Sequence, residues 1–285
     1  YMGKLLKKRP ISIGFVFTNY NNSLLTIQAI DSIKKSAKNI EYYSVIVDNF
    51  SRKKETELLK DVNKIDTNTH IIFNCSNVGY FKGLNLGIAF LKDRYINLDY
   101  IVAGNNDLVF KDDFFIQLEK NANLLNEYPV ISPDLITLDG VHQNPHVIKG
   151  FSRLREIIWD VYFVNYWVSI IISKISSMGK SFFERKDYRS CKEPMLISQG
   201  YGACYILTKK FFLHFDEFWS PNFLMGEEFF LSKQLESKGF QFFYYPGIVV
   251  HHHDHATVSK IPSKKLWIYS REYHRIYRKF VSPYR

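Results

Sequence analysis

The sequence predicts an α/β fold with a mostly parallel central sheet that is covered by helices on both faces. Apolar strand-like runs alternate with segments of helical spacing through the first half of the chain. Each run ends in polar residues, as expected where buried strands reach the edge of a sheet. At 285 residues, of which 46% are hydrophobic, the chain can bury a substantial core. Such alternation indicates right-handed crossovers between parallel strands.

The predicted elements follow one another in a regular order. Strands are assigned from β-branched and aromatic runs, and helices from apolar spacing after a polar cap. In chain order they are strand 11–18, helix 23–35, strand 43–47, helix 53–62, strand 70–73, helix 84–91 and strand 100–103. Because parallel strands end at the same edge of a sheet, Thr18, Asp48, Asn77 and Asp107 are predicted to converge on one crevice.

Asp107 follows the apolar run 100–104, where a buried strand is expected to reach the surface. A carboxylate at a strand end often only closes a turn or caps the next helix. Asp48 ends an earlier strand in the same way, and the pair Glu227-Glu228 lies in a later turn. The combination favours a ligand site at this edge of the sheet.

Three glycines at four-residue intervals, Gly79, Gly83 and Gly87, mark a turn rich in glycine and asparagine. Glycine lets the backbone approach a ligand closely, and a helix that begins here would present its amino end to phosphate. Close packing of a helix on the sheet explains the same spacing. The pattern differs from both G-x-G-x-x-G and the P-loop.

Glu227 and Glu228 are predicted in the first turn of a helix that ends near Gly239. The helix dipole favours acidic residues there without any functional demand. Because adjacent helical residues point about 100° apart, one glutamate is expected to face the crevice and the other to anchor the loop.

Several histidines follow a strand-like run at 242–245. Consecutive residues of an extended chain point in opposite directions, so a compact multi-histidine zinc site at 251–255 is disfavoured. A single histidine of this cluster is predicted to join Asp107 at a divalent cation.

Two later segments depart from the alternation of strands and helices. The aromatic run 155–177 contains Asp160 and Asn165 and is too polar to span a bilayer. It fits a helix in a membrane interface, or a buried or partner-contacting helix. The tail 264–280 interleaves Lys and Arg with aromatic residues, which suits single-stranded nucleic acid and, better, an anionic lipid surface.

A net charge of +10 favours polyanionic partners, whether nucleic acid, nucleotide phosphates or a membrane surface. The three cysteines, Cys75, Cys191 and Cys204, suggest neither a disulfide framework nor a metal site, so reduced cysteines in the cytosol are expected. The basic amino terminus lacks a signal-peptide pattern, and no export is expected.

Taken in order, these motifs resemble glycosyltransferase family 2, the inverting enzymes of the GT-A fold, especially those that build bacterial surface polysaccharides. The resemblance covers about 11–257. The matching elements are Thr18-Asn19-Tyr20-Asn21, Val47-Asp48-Asn49-Phe50-Ser51, the turn residues Asn77, Gly79, Tyr80, Gly83, Asn85 and Gly87, the N-x-D pair Asn105 and Asp107, Glu227-Glu228 with Gly239, and Tyr244 or Tyr245, Pro246 and His251. Two departures are Asn105, which removes a charge from the metal motif, and Glu228, which replaces the usual Asp.

The resemblance implies a role for each matching residue. Glu228 is the expected catalytic base, with Glu227 second, and Asp107 with His251 would hold Mn²⁺ or Mg²⁺. The 200–202 loop, Gly200, Tyr201 and Gly202, would line the donor-sugar and acceptor pocket. The expected nucleotide-sugar contacts are Thr18, Asn19, Tyr20, Asn21, Asp48, Asn77, Gly79, Lys82, Gly83, Asn85, Asn105 and Asn106.

The predicted function is metal-dependent, inverting transfer from a UDP- or dTDP-sugar to a lipid-linked or growing saccharide in bacterial surface polysaccharide synthesis. The protein is expected to bind peripherally to the cytosolic face of the cell membrane. A GT-A domain at 1–258 is expected, with a nucleotide-binding half (1–131), an acceptor half (132–258) and a helical insertion near 153–180, followed by a basic tail at 259–285. A catalytically inactive sugar-nucleotide or polysaccharide-binding module is the alternative. A nucleic-acid binder fits the acidic crevice poorly, and oligomerisation stays open.

Overall fold

A computed structural model describes residues 10–38, 40–178, 192–253 and 263–284. Within these ranges nine strands form one sheet. In chain order they are β1 (Ser12–Asn19), β2 (Glu41–Asp48), β3 (Thr69–Phe73), β4 (Tyr100–Asn105), β5 (Leu108–Phe110), β6 (Val130–Thr137), β7 (Met195–Ile197), β8 (Cys204–Thr208) and β9 (Phe242–His252). The amino-terminal basic segment, Cys191 and the predicted boundary at 258 lie outside the described residues.

The helices of the described ranges flank this sheet. They are α1 (Ser23–Ala37), α2 (Lys53–Lys60), α3 (Val62–Ile65), α4 (Tyr80–Arg94), α5 (Phe114–Lys120), α6 (Ala122–Leu125), α7 (Arg153–Tyr162), α8 (Tyr166–Met178), α9 (Lys209–Phe212), α10 (Glu227–Glu236) and α11 (Ser263–Tyr277). No helix of these ranges is both long enough and apolar enough to span a bilayer.

The strand order is β3-β2-β1-β4-β8-β6-β9-β5, with β7 beside β9. The first four strands are mutually parallel, as predicted, whereas β8 runs antiparallel to both β4 and β6. Strands from both predicted halves therefore belong to one sheet. The mixed α/β fold with helices around a large central sheet is confirmed.

Successive side chains of β1 point to opposite faces of the sheet and therefore belong to two different core clusters. Phe15 and Phe17 pack with α1 on one face, and Val16 packs with α4 on the other. α4 is longer than predicted and contains Gly83 and Gly87 within its turns. A Cβ at Gly87 would lie 2.3 Å from Cγ1 of Val16, so the glycine spacing reflects close packing of a helix on the sheet.

The aromatic segment and the basic tail pack together as helices. α7 and α8 replace the single predicted helix, and α11 contacts α7 through Trp159–Tyr277 and α10 through Phe229–Tyr277. A third apolar cluster forms there, with Phe229, Phe230 and Tyr277 buried. α11 is thus part of the packed protein and covers α10, and a contact of the tail with anionic lipid stays a prediction.

Candidate active site

The turn between β4 and β5 places Asp107 at the carboxyl edge of the parallel strands. Its side chain is buried, and its Oδ1 accepts no hydrogen bond from any residue that the structure describes. Nε2 of His252 lies 3.2 Å from that oxygen, because β9 pairs with β5 with His252 opposite Leu108. A buried carboxylate oxygen without a donor is costly. This position therefore suits a cation.

Gln143 orients the ring of His252. Its Oε1 lies 2.7 Å from Nδ1 of His252, and a carbonyl oxygen at that distance holds the proton on Nδ1. Nε2 then carries a lone pair, which faces Nδ2 of Asn105 at 3.2 Å as well as Asp107. A carboxylate oxygen and an unprotonated imidazole nitrogen fit a divalent cation that takes its other ligands from substrate phosphate.

Asp107 and His252 together form what we call the Asp107 corner. His251, the predicted metal ligand, points away from it. It pairs with Val109 and Ile136 within the sheet, and alternation along β9 turns it to the face opposite His252. Burial and then the charge of Lys111 lower its pKa, while the charge of Asp134 opposes that shift. His252, not His251, therefore lies beside Asp107, and the role of a histidine as metal ligand stays a prediction.

Within the described ranges, no group of three or more His, Cys, Asp or Glu side chains has the geometry to hold a metal ion. Asp107 and His252 are a pair, which suits a cation shared with a nucleotide diphosphate better than a closed structural metal site.

The two adjacent glutamates at the start of α10 face different neighbours. Oε1 of Glu228 accepts from the backbone N–H of Gly202 at 3.1 Å. Oε1 of Glu227 accepts instead from the N–H of Met225 at 3.0 Å, within its own loop. Met225 and Gly226 both have positive φ, 80° and 81°, so the bond to Glu227 braces a strained turn.

Burial and then the charge of Glu228 raise the pKa of Glu227 to about 8. The shift has a clear cause, because two adjacent carboxyls in a buried turn disfavour a second negative charge there. The arrangement agrees with the expectation that one glutamate faces the crevice while the other anchors the loop.

Tyr80 connects Glu228 with the Asp107 corner. Its hydroxyl donates to the carbonyl of Gly202 at 2.8 Å, and the N–H of Gly202 donates to Glu228. Burial and then the charges of Glu227, Cys204, Asp107 and Glu228 raise the pKa of Tyr80. The Tyr80 hydroxyl is thus bound to the same loop residue that holds Glu228.

The 200–202 loop is held between these regions. The N–H of Tyr201 donates to Oδ1 of Asn144 at 2.9 Å, and the ring of Tyr201 lies 6.1 Å from that of His252. A Cβ at Gly202 would lie 2.6 Å from Oε1 of Glu228, and one at Gly200 would lie 1.8 Å from Oγ of Ser132. Small residues are therefore required on both sides of Tyr201.

The ends of β1 and β2 form the other wall of the crevice. Asp48 is buried; its Oδ1 accepts from Nδ2 of Asn19 at 2.7 Å and its Oδ2 from the N–H of Ser51 at 3.0 Å. Asn21 has a φ of 55° and accepts from the N–H of Arg52. These bonds fix the two strand-end loops against each other.

Four of the predicted nucleotide contacts make hydrogen bonds or close packing contacts inside the protein. Nδ2 of Asn106 donates to Oδ1 of Asn19 at 2.9 Å, behind the crevice. Both amide atoms of Asn85 bind the backbone of Phe218, at 2.8 and 2.9 Å. A Cβ at Gly83 would lie 2.7 Å from a methyl group of Thr18. The polar atoms of Asn19, Asn106 and Asn85 and the backbone of Gly83 are thus used inside the protein, and a contact of these residues with nucleotide stays a prediction.

The remaining predicted contacts lie at the rim or at the turn before α4. Tyr20 and Lys82 are exposed, and Thr18 is half-buried beside Asn105 in the sheet register. Oδ1 of Asn77 accepts from the N–H of Gly79 at 3.0 Å. Gly79 has a φ of 95°, and a Cβ there would lie 2.2 Å from the carbonyl oxygen of Phe223. Glycine is thus required by backbone conformation as well as by space.

Comparison with known proteins identifies the family. The model of glycosyl transferase family 2 matches residues 15–158, which run from within β1 through β6 and into α7 and include the N-x-D pair. This chain belongs to glycosyl transferase family 2. The expectation of a family 2 glycosyltransferase with a GT-A fold is confirmed.

Solved structures agree on the fold of this family 2 chain. GalNAc-T7 with UDP, GalNAc and Mn²⁺ has a TM-score of 0.56 at 14% identity, over 86% of this chain and 44% of that one. The mannosyltransferase PcManGT from Pyrobaculum calidifontis, with GDP-Man and Mn²⁺, has a TM-score of 0.53 at 13% identity, over 88% and 59%. The family 2 chain thus spans about half the length of these structures. No curated protein matches it.

Proposed function

We propose that this family 2 chain is an inverting, metal-dependent enzyme that transfers a sugar from a UDP- or dTDP-sugar to a lipid-linked or growing saccharide. The observation that carries the proposal is the connection of Asp107 and His252 to Glu228 through Tyr80 and the 200–202 loop. These contacts support a proposed metal site and a proposed general base at one crevice, as displacement at an anomeric carbon requires.

A divalent cation, Mn²⁺ or Mg²⁺, fits the Asp107 corner. The support is the buried Oδ1 of Asp107 without a donor, the lone pair of His252 Nε2 nearby, and Mn²⁺ in two structures of the same fold. When bound, the cation supplies positive charge that offsets the charge of a departing diphosphate. Because Asn105 is uncharged, the N-x-D pair contributes one carboxylate, that of Asp107, to the Asp107 corner.

Glu228 is proposed as the general base. Its carboxylate takes the proton of the acceptor hydroxyl as that oxygen forms a bond to the anomeric carbon. The bond from the anomeric carbon to the phosphate oxygen breaks on the opposite side, and its electron pair leaves with the nucleoside diphosphate. The configuration at that carbon is inverted. The N–H of Gly202 holds Oε1 of Glu228 in place during this step.

The nucleotide is proposed to lie across the ends of β1 and β2. Asp48 there is the acceptor expected for the imide N–H of uracil or thymine, and Tyr20 is exposed at the same edge. The two bonds that Asp48 already accepts leave lone pairs on both oxygens. A base with a ring N–H donor, such as uracil or thymine, is therefore favoured over adenine or cytosine.

The acceptor is proposed to be presented at the cytosolic face of the bacterial membrane, as in surface polysaccharide synthesis. The support is the net charge of +10 and the exposed apolar residues of α7 and α8. The family assignment covers neither the acceptor nor the pathway, so both rest on this surface chemistry.

A panel of sugar nucleotides tests the proposal. Each is added with Mn²⁺, and the melting temperature is followed, because a ligand of the native state raises it by mass action. A UDP- or dTDP-sugar should raise it most, and transfer to a lipid-linked saccharide should follow. If only GDP-sugars act, the nucleotide assignment is wrong. Binding without product favours an inactive sugar-nucleotide-binding module instead.

A further inference from the structure

Exposed apolar side chains form a stripe along each helix of the α7–α8 hairpin. The spacing is three or four residues, so each set lies on one side of its helix. Their exposed fractions run from 40% at Ile157 to 71% at Trp167. The members are Leu154, Ile157, Val161 and Val164 from α7 and its end, and Trp167, Ile171 and Ile175 from α8. We call this set the apolar hairpin face.

Both carboxylates of the hairpin are held by α11 and the residues after it. Between 153 and 178 the acidic residues are Glu156 and Asp160. Glu156 pairs with Nη1 of Arg278 at 2.6 Å, and Asp160 pairs with Nε of Arg278 at 2.5 Å and Nε2 of His274 at 2.8 Å. Both carboxylates are thereby bound on the side that packs against α11.

Cations lie where α7 and α8 meet. Nζ of Lys264 lies 6.0 Å from the centre of the Tyr166 ring, and Nη2 of Arg271 donates to the carbonyl of Val164 at 3.2 Å. Lys264 is exposed. The exposed Trp167 follows directly on Tyr166. Positive charge therefore adjoins exposed aromatic and aliphatic groups, the combination found in helices that lie in an anionic membrane interface.

We propose that the apolar hairpin face docks on a bilayer of anionic lipid, with its apolar side chains among the acyl chains and Lys264 near the phosphates. This inference deepens the proposed function, on which it rests, by naming the surface that meets the membrane. α11 has a supporting role, because it holds the hairpin through Arg278. The charge pattern favours anionic lipid over a second copy of this basic chain, which would bring like charges together.

Vesicle sedimentation with matched variants tests the docking surface. The test variant is Trp167→Asn with Ile171→Asn, and the control is Ile96→Asn with Leu213→Asn. The control residues are more exposed, at 89% and 79% against 71% and 58% for the test residues, but lie elsewhere in the chain. The probes are vesicles of phosphatidylcholine with and without phosphatidylglycerol. Circular dichroism establishes that each variant is folded.

The parent and the control should sediment with the phosphatidylglycerol vesicles, and less with phosphatidylcholine alone. The test variant should bind at least ~10-fold more weakly, because two apolar contacts with the acyl region are lost. Equal sedimentation of the test and control variants overturns the proposal. So does a parent protein that sediments with neither kind of vesicle. A parent dimer that the test substitutions dissociate, without vesicle binding, assigns the face to a second copy.

The same variants are melted with the best sugar nucleotide and Mn²⁺. Test and parent should show equal stabilisation, since the apolar hairpin face is separate from Asp107 and Glu228. A parent that binds vesicles but no sugar nucleotide contradicts the proposed function and leaves the docking surface standing. The two proposals therefore fail on different measurements.

Discussion

Nε2 of His252 lies 3.2 Å from Oδ1 of Asp107, and Gln143 holds the opposite nitrogen of the same ring. The two residues meet because the end of β9 pairs with β5 immediately after the β4–β5 turn. His251, its neighbour in sequence, faces the other side of the sheet. This contrast provides an internal control for the proposed metal corner.

Replacement of His252 by alanine should weaken Mn²⁺-dependent donor binding by at least ~10-fold, because a proposed ligand is lost. His251→Ala should leave the affinity unchanged. Isothermal titration with the best sugar nucleotide, with and without Mn²⁺, measures both. A larger loss for His251 than for His252 would return the role to His251.

Asp107→Ala should abolish the Mn²⁺ dependence of donor binding, since Asp107 is the carboxylate of the corner. The folded state should tolerate the change, because Oδ1 of Asp107 accepts no hydrogen bond from the described residues. Asp112→Ala, at an exposed position nearby, is the control. Unchanged calorimetric affinity in Mn²⁺ refutes the ligand role of Asp107.

Glu228→Gln should bind donor normally but transfer sugar at least ~10²-fold more slowly, because the amide cannot take the acceptor's proton. Its carbonyl oxygen can still accept from the N–H of Gly202, so the loop should keep its position. Single-turnover transfer measured beside donor titration separates the two effects. Near-normal turnover would move the role to Glu227.

The pH dependence of stability should report on Glu227. Its pKa in the folded protein, about 8, lies above the ordinary value of 4.5, so folding takes up a proton between these values. The contribution of Glu227 to the free energy of unfolding is therefore fully present below pH 4.5. It is lost as the pH rises through about 8.

Glu227→Gln should therefore gain in melting temperature over the parent as pH rises from 4.5 through about 8. Thermal melts across this range measure the difference, and the exposed Glu272→Gln is the control. A difference that stays constant with pH contradicts a raised pKa at Glu227.

Local pattern was sufficient to predict the first half of the fold. The alternation of strands and helices through β4 follows from side-chain periodicity, which depends only on neighbours in sequence. The division of Glu227 and Glu228 between loop and crevice likewise follows from helical spacing. These features need no knowledge of distant residues.

Features that depend on pairing between distant segments could not be predicted in the same way. Which histidine meets Asp107 depends on the register of β9 against β5, and a shift of one residue exchanges His251 and His252. The side-chain amide of Asn85 hydrogen-bonds to the backbone of Phe218, which lies 133 residues further along the chain. Motif position alone does not separate such a support from a ligand contact.

Tyr273 of α11 packs against the turn that precedes the proposed base. A Cβ at Gly226 would lie 2.1 Å from its ring, and the charges of Glu228 and Glu227 contribute to its raised pKa, behind burial and Tyr277. Evolution can therefore adjust proton affinity in the crevice through a helix that carries no motif residue. Homologues with identical signature sequences but divergent final helices would then differ in the pH at which they work best.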